Sequence, residues 1–355
     1  MDSISISIVV GLLYEIGDKM VDKYDYSFVV TTYNQQNTIV ETLESIKYQV
    51  EKYGTDFKVQ LIIGDDGSTD KNVEVIKKWL IQNKHYFTEV VTIFEDNNYG
   101  MCHNFCSTLE KVRGRHFKEI SGDDILPENN IISVMDKLDD CDIVTGIVLR
   151  FKDGKFILDK SEYITEIRQA FFSYKEIRKL SKTAVPLKGG TIWNKNLDTK
   201  SLFEYIKQYK LVEDRPLWYK ITKDNKELQY WFENSPVLLY RIGGGSSIHS
   251  NVNKIHMEDI KKLYLSIKKE KLTLLERESL FCVMHGLKYL DFGVLYVKIK
   301  DLLYHKKMDE LWNNLFVPSI YRNQKYIEDI KQQREAFHIR EGLYEKEKTS
   351  CRKFY

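Results

Sequence analysis

Three acidic knots carry the residue types that could do chemistry. They are "GDDGSTD" at 64–70, "SGDD" at 121–124 and "ED" at 213–214. Asp123 and Asp124 lie side by side between Ile120 and Ile125-Leu126, with Pro127 just behind. Neighbouring carboxylates repel, and burying them is costly. A hard divalent cation such as Mg²⁺ or Mn²⁺ removes that penalty, because it prefers oxygen ligands and often uses one or two carboxylates plus substrate phosphates. The same cation would neutralise charge developing on a diphosphate leaving group. An exposed Asx-type turn ahead of the proline is the other reading of the pair.

The two flanking knots read differently. Asp65 and Asp66 follow an apolar run, where a carboxylate can accept hydrogen bonds from a base N–H or from ribose hydroxyls. Asp70 is placed to cap the next helix. Glu213 and Asp214 interrupt a segment with Leu211, Val212, Leu217 and Trp218. A carboxylate in such surroundings has a raised pKa and suits a general base; a surface i,i+4 pair on a helix is the alternative. Cys102, His103 and Cys106 lack a second ligand pair at zinc spacing and read as helix or core residues.

These knots need a frame. "YSFVVTTYN" (26–34) reads as a buried strand, and "TIVETLESIKYQV" (38–50) repeats apolar residues at helical spacing. Strand, helix, strand, helix and strand follow at 58–70, 72–83, 89–97, 101–112 and 116–121. Such alternation predicts a parallel sheet with right-handed crossovers and helices on its faces. Ligands bind beyond the carboxyl ends of strands in these sheets, where "TTYN", "GDDGSTD", "EDNNYG" and "SGDD" would converge. Beyond residue 131 the pattern is less regular. "CDIVTGIVLRF" reads as a further strand, residues 201–225 as two helices around Glu213-Asp214, and the region from about 255 as helices.

Composition narrows the classes. The chain has 355 residues, enough for one large domain or two ordinary ones, and a net charge of +2, which excludes a polyelectrolyte binder of nucleic acid. Residues 251–355 carry 21 Lys and Arg against 15 Asp and Glu. That basic third suits an anionic lipid surface or acceptor, or simply a solvated helical surface. Five cysteines without regular spacing point to a reducing compartment rather than a disulfide framework. The amino-terminal apolar run spans about eleven residues, too short for a bilayer, and lacks a basic leader. The expectation is a cytoplasmic protein, soluble or peripheral at the inner face of the membrane.

Taken in order and spacing, "VVTTYNQ", "LIIGDDGSTD", "NNYG", "ISGDDILP", "VEDRPLW" and "YRIGGGSS" resemble the family 2 glycosyltransferases of GT-A fold over about residues 25–250. The resemblance implies a Rossmann-like α/β domain at 25–252 with a mostly parallel sheet, an extension at 1–24 and a helical, basic carboxyl-terminal region at 253–355. It implies an inverting enzyme that moves a sugar from a nucleotide-diphosphate donor, usually UDP-linked, to a glycan or lipid-linked acceptor, with Mn²⁺ or Mg²⁺ as cofactor. Carried over by motif, Thr31, Tyr33, Asp65 and Asp66 would border the nucleotide. Asp123 would hold the metal and the diphosphate, with Asp124 beside it. Asp214 would be the catalytic base, with Glu213 adjoining. Arg241 would neutralise phosphate, and His249 would be either a metal ligand or a surface residue. Ser121 stands where the family often has the first Asp of Asp-x-Asp. The rivals are a Mg²⁺-binding receiver-like domain, which leaves Asp214 unexplained, and a silent nucleotide- or sugar-binding module of the same fold.

Overall fold

A computed structural model describes residues 23–183, 187, 190–243, 250–285 and 292–343. The amino-terminal apolar run, His249 and Cys351 lie outside the described residues. The first half follows the alternation read from the sequence. Strands β1 (Tyr24–Thr32), β2 (Val59–Asp65), β3 (Glu89–Phe94) and β4 (Gly114–Ser121) form one sheet in the order β3-β2-β1-β4. Every pairing in it is parallel. Helices α1 (Ile39–Tyr53), α2 (Asn72–Asn83) and α3 (Met101–Leu109) make the crossovers. Sequence explains the central position of β1 and β2: they are Val/Ile-rich and buried on both faces. Register aligns Thr31 with Gly64 on one side and with Ser121 on the other, so the polar strand ends fall on one edge.

A short helix α4 (Ile131–Met135) leads into a second sheet built on β5 (Ile143–Lys152). It pairs antiparallel with β6 (Lys155–Phe156) and β7 (Ile192–Trp193), and parallel with β8 (Tyr230–Arg241). Four helices fill the connections: α5 (Ile164–Gln169), α6 (Tyr174–Leu180), α7 (Thr199–Ile206) and α8 (Asp214–Asp224). The sheets meet where Ile125, just past the acidic pair, exchanges two backbone hydrogen bonds with Leu239 of β8, at 3.1 and 2.9 Å. That bridge fixes the Asp123-Asp124 turn from its far side.

The carboxyl-terminal helices are α9 (Ser250–Lys268), α10 (Leu274–Met284), α11 (Phe292–Leu311) and α12 (Val317–Arg340), with one π-helical turn at Trp312–Phe316. The expected boundary at 252/253 falls within α9. Helix α12 returns to the front of the chain. Its Phe337 joins the core around α1, while Ile320, Ile327 and Ile330 join a cluster with Phe151 and Leu239. Tyr326 packs on Tyr48 of α1, with ring centroids 5.0 Å apart.

Candidate active site

The carboxyl end of β4 delivers the acidic pair into a tight turn. Gly122 N–H donates to the Thr31 carbonyl at 2.9 Å, and Asp124 N–H donates to the Ser121 carbonyl at 3.1 Å. Ser121 Oγ donates to Asp123 Oδ1 at 2.6 Å, so the residue standing in place of an aspartate orients the next one. Asp124 is buried, and Arg241 N–H donates to its Oδ1 at 2.9 Å. Burial first, and the Asp123 charge second, push the Asp124 carboxyl well above the usual carboxylate range. Two crowded carboxylates are the electrostatic situation that a divalent cation relieves. Among the described residues there is no cluster of three or more His, Cys, Asp or Glu arranged for an ion. A cation on this pair would therefore complete its shell with water and substrate oxygens, as Mg²⁺ commonly does.

Asp123 and Asp124 open on a cavity of about 310 Å³, bordered also by Thr31, Tyr33, Gln35 and Glu213. Thr31 is buried, and its hydroxyl donates to Glu119 Oε1 at 2.9 Å. Asp214 borders an adjoining cavity of about 400 Å³. The two cavities share Phe105, Glu119, Gly190, Glu213 and Tyr240 as a common wall. Asp214 is the first residue of α8, where the helix dipole favours a carboxylate, and its Oδ1 accepts from Arg215 N–H at 2.7 Å. Burial, then the adjacent Asp214 charge, lift the Glu213 carboxyl to about 8.

Asp65 and Asp66, expected to border the nucleotide, are both buried at the carboxyl end of β2. Asp65 is fully buried; it accepts from Ser68 N–H at 2.8 Å, from Ser68 Oγ at 2.5 Å and from Asn72 Nδ2 at 2.7 Å. Asp66 accepts from the backbone N–H groups of Tyr99 and Gly100 at 2.8 and 2.9 Å. Burial raises its carboxyl above the ordinary value even with those donors. Both carboxylates therefore stitch the loop after β2 to itself and to the loop before α3. Gly67 has φ +70°, and an added Cβ would lie 2.4 Å from the Asn97 carbonyl carbon, so only glycine lets these loops meet. Asp70 accepts from Asn72 N–H at 2.9 Å, at the start of α2, and from Gln36 N–H at 3.1 Å.

Arg241 reaches the acidic turn from behind. Its Nε donates to the Asp123 carbonyl at 2.7 Å, and its guanidinium lies over the Phe151 ring. The Arg241 guanidinium pairs with Glu41 of α1. Glu41 is buried and also accepts from Arg334 of α12 at 2.9 Å. The last helix is thus tied to the acidic turn through Glu41, a link that no local sequence pattern announces. Removing a buried partner strands the charges facing it. Glu41→Ala is expected to destabilise the chain by about 3 kcal/mol in an equilibrium urea titration. An unchanged midpoint and slope would show that the Arg241–Glu41–Arg334 link carries no stability.

Glu119, which lines both cavities, had a weak signal. Lys118 and Glu119 are adjacent charges inside a strand, an unusual pairing in a buried sheet. Lys118 is 1% exposed and donates Nζ to the Glu119 carbonyl at 2.8 Å; burial pushes its amine down to about 8. Cys102 and Cys106 lie on the buried face of α3, as read from the sequence, and His103 between them is half-buried.

Residues 27–193 match the profile described as "Glycosyl transferase family 2". Among curated relatives, a teichoic acid poly(glycerol phosphate) polymerase of Staphylococcus epidermidis is 28% identical over 196 residues, 52% of this chain and 25% of the polymerase. The glycosyltransferase GlyG of Streptococcus pneumoniae is 27% identical over 37% of this chain and 42% of its own. The chain therefore spans between a quarter and about two fifths of the length of these relatives. Among solved structures, TarS 1–349 of S. aureus in complex with UDP superposes with a TM-score of 0.50 at 14% identity, over 90% of this chain and 92% of that one. The mannosyltransferase PcManGT of Pyrobaculum calidifontis, in complex with GDP-Man and Mn²⁺, gives 0.50 at 13% identity, over 97% and 99%. At these identities the likeness speaks for the fold, which is GT-A. Residues 27–193, just under half of the chain, are thus similar to the glycosyl transferase family 2 domain.

Proposed function

We propose that the chain is an inverting, metal-dependent hexosyltransferase that moves a sugar from a nucleotide-diphosphate donor, UDP-linked, to a hydroxyl of a glycan or lipid-linked glycan. One observation carries the reading. The Asp123-Asp124 turn and Asp214 open on two adjoining cavities divided by a shared wall that includes Glu119, Glu213 and Tyr240. A leaving diphosphate on one side and a base on the other suit displacement in line, with inversion at the anomeric carbon. Thr31 and Tyr33 border the nucleotide end. Asp65 and Asp66 shape the loops around it, and their contact with the base is indirect through those loops. Asp214 accepts the acceptor's hydroxyl proton as that oxygen attacks. Mn²⁺ or Mg²⁺ held by Asp123 and Asp124 would neutralise charge on the departing diphosphate.

The decisive experiment is UDP release with a panel of UDP-sugars and Mn²⁺. Release with one donor supports the reading. Absence of release and of nucleotide binding across UDP- and GDP-sugars would overturn it.

The same reading places the enzyme on the cytoplasmic face of a membrane, in surface polysaccharide assembly. Cys102, Cys106 and Cys141 are in no disulfide, which suits a reducing compartment. Among the described residues no helix is long and apolar enough to cross a membrane. Helix α11, however, exposes Leu295, Ile299, Leu302 and Leu303 at helical spacing, beside exposed Lys298, Lys306 and Lys307. Such a face suits peripheral contact with anionic lipid. Anionic liposomes are expected to float the chain, and Leu302→Asp with Leu303→Asp to abolish flotation. Flotation unaffected by that double change would count against this contact.

A further inference from the structure

The cavity that contains Asp214 has a second polar feature, remote from the acidic turn. Its wall carries Arg150 of β5 and Glu166 of α5. Arg150 Nη2 donates to Glu166 Oε1 at 2.5 Å, and Nη1 lies 3.5 Å from Glu162. Glu166 is 1% exposed, yet its Oε2 has no hydrogen-bond partner. Arg150 Nε is buried and likewise unpartnered. An enclosed carboxylate oxygen without a donor is costly, and an N–H acceptor vacancy on the same ion pair doubles the oddity. Hydroxyl groups satisfy both needs, since each can donate to a carboxylate and accept from a guanidinium.

Charge narrows the ligand further. Glu119, Glu166, Glu213 and Asp214 border this cavity against Arg150 as its cation, and Arg150 is already met by Glu166. The field there opposes an anion. Asp214 borders this cavity and not the one holding Asp123 and Asp124, which places the attacking hydroxyl here. We propose that this cavity is the acceptor subsite and that Arg150 and Glu166 read the hydroxyls of an uncharged saccharide, against uronic acids and polyol phosphates. The proposal rests on the reading of Asp214 as the base. A site built to bond a hydroxyl discriminates strongly, because an unsuitable ligand leaves its buried polar atoms unpaired.

Calorimetric titration of the full chain with UDP and Mn²⁺ tests this. The probes are p-nitrophenyl glucoside, p-nitrophenyl N-acetylglucosaminide, p-nitrophenyl glucuronide and glycerol 3-phosphate. At least one uncharged glycoside is expected to bind, and the two anions are not. Glu166→Gln keeps volume and the Arg150 bond, and is expected to weaken the glycoside about tenfold or more; UDP affinity should stay within twofold. Arg150→Lys, which removes Nε, should act in the same direction. Binding of either anion as tight as that of the glycosides overturns the proposal, as does a failure of every uncharged glycoside to bind. Unchanged affinity in both variants shows a water-filled pocket and overturns it too. Loss confined to the extra affinity of a UDP-sugar over UDP would place the donor's glycosyl group here instead of the acceptor. UDP release by the unaltered chain separates failure of this subsite from failure of the transferase reading itself.

Discussion

Asp214→Asn is expected to lower sugar transfer by about a thousandfold while UDP binding stays within twofold of the unaltered chain. The magnitude is that of removing a general base. Asparagine keeps the shape, and its Oδ1 can still accept from Arg215 N–H, so the first turn of α8 should persist. What it loses is the ability to take a proton, together with the negative charge that the helix amino terminus favours. Asp214 borders the cavity opposite the acidic turn, so nucleotide binding should not register the change. Transfer rate and UDP affinity measured on one preparation decide the matter. Equal loss of both would make Asp214 a structural residue and remove it from the chemistry.

Asp123→Ala is expected to abolish the Mn²⁺-dependent part of UDP affinity, a loss of about tenfold or more. The residual, metal-independent binding should match that of the unaltered chain in EDTA. Asp123 is the member of the pair that Ser121 orients, whereas Asp124 is held by Arg241 N–H and buried against its neighbour. Removing Asp123 also removes the charge that helps lift the Asp124 carboxyl, so Asp124 becomes an ordinary buried acid and not a repelled one. The variant is therefore not expected to unfold, and a melting temperature at or above that of the unaltered chain would agree. Full transfer activity in EDTA would contradict the metal role for both aspartates.

The two predictions concern residues that were visible in the sequence for a physical reason. Asp123-Asp124 and Glu213-Asp214 break apolar surroundings with adjacent like charges, which a chain rarely does without return. The parallel sheet was equally visible, because strand and helix periods are set over ten residues or fewer. Asp65 and Asp66 show where that legibility ended. Their position at the end of β2 was plain, but the partners of their carboxylates, Asn72, Tyr99 and Gly100, depend on how two loops meet.

Arg241 makes the same point over a longer range. Its proximity to the acidic turn follows from the pairing of β5 with β8 and from the Ile125–Leu239 bridge. Its charge is met by Glu41, 200 residues earlier, and Glu41 by Arg334 on the last long helix. By itself the sequence determined the element types, the sheet edge and the acidic knots, because those follow from local period and turn chemistry. Tertiary structure alone decided which carboxylates face a cavity and which bind backbone, that α12 is tied to the acidic turn through Glu41, and that Arg150 and Glu166 meet in one cavity wall. A hydrogen-bond partner is chosen by packing between distant segments, and short-range pattern carries no record of that choice.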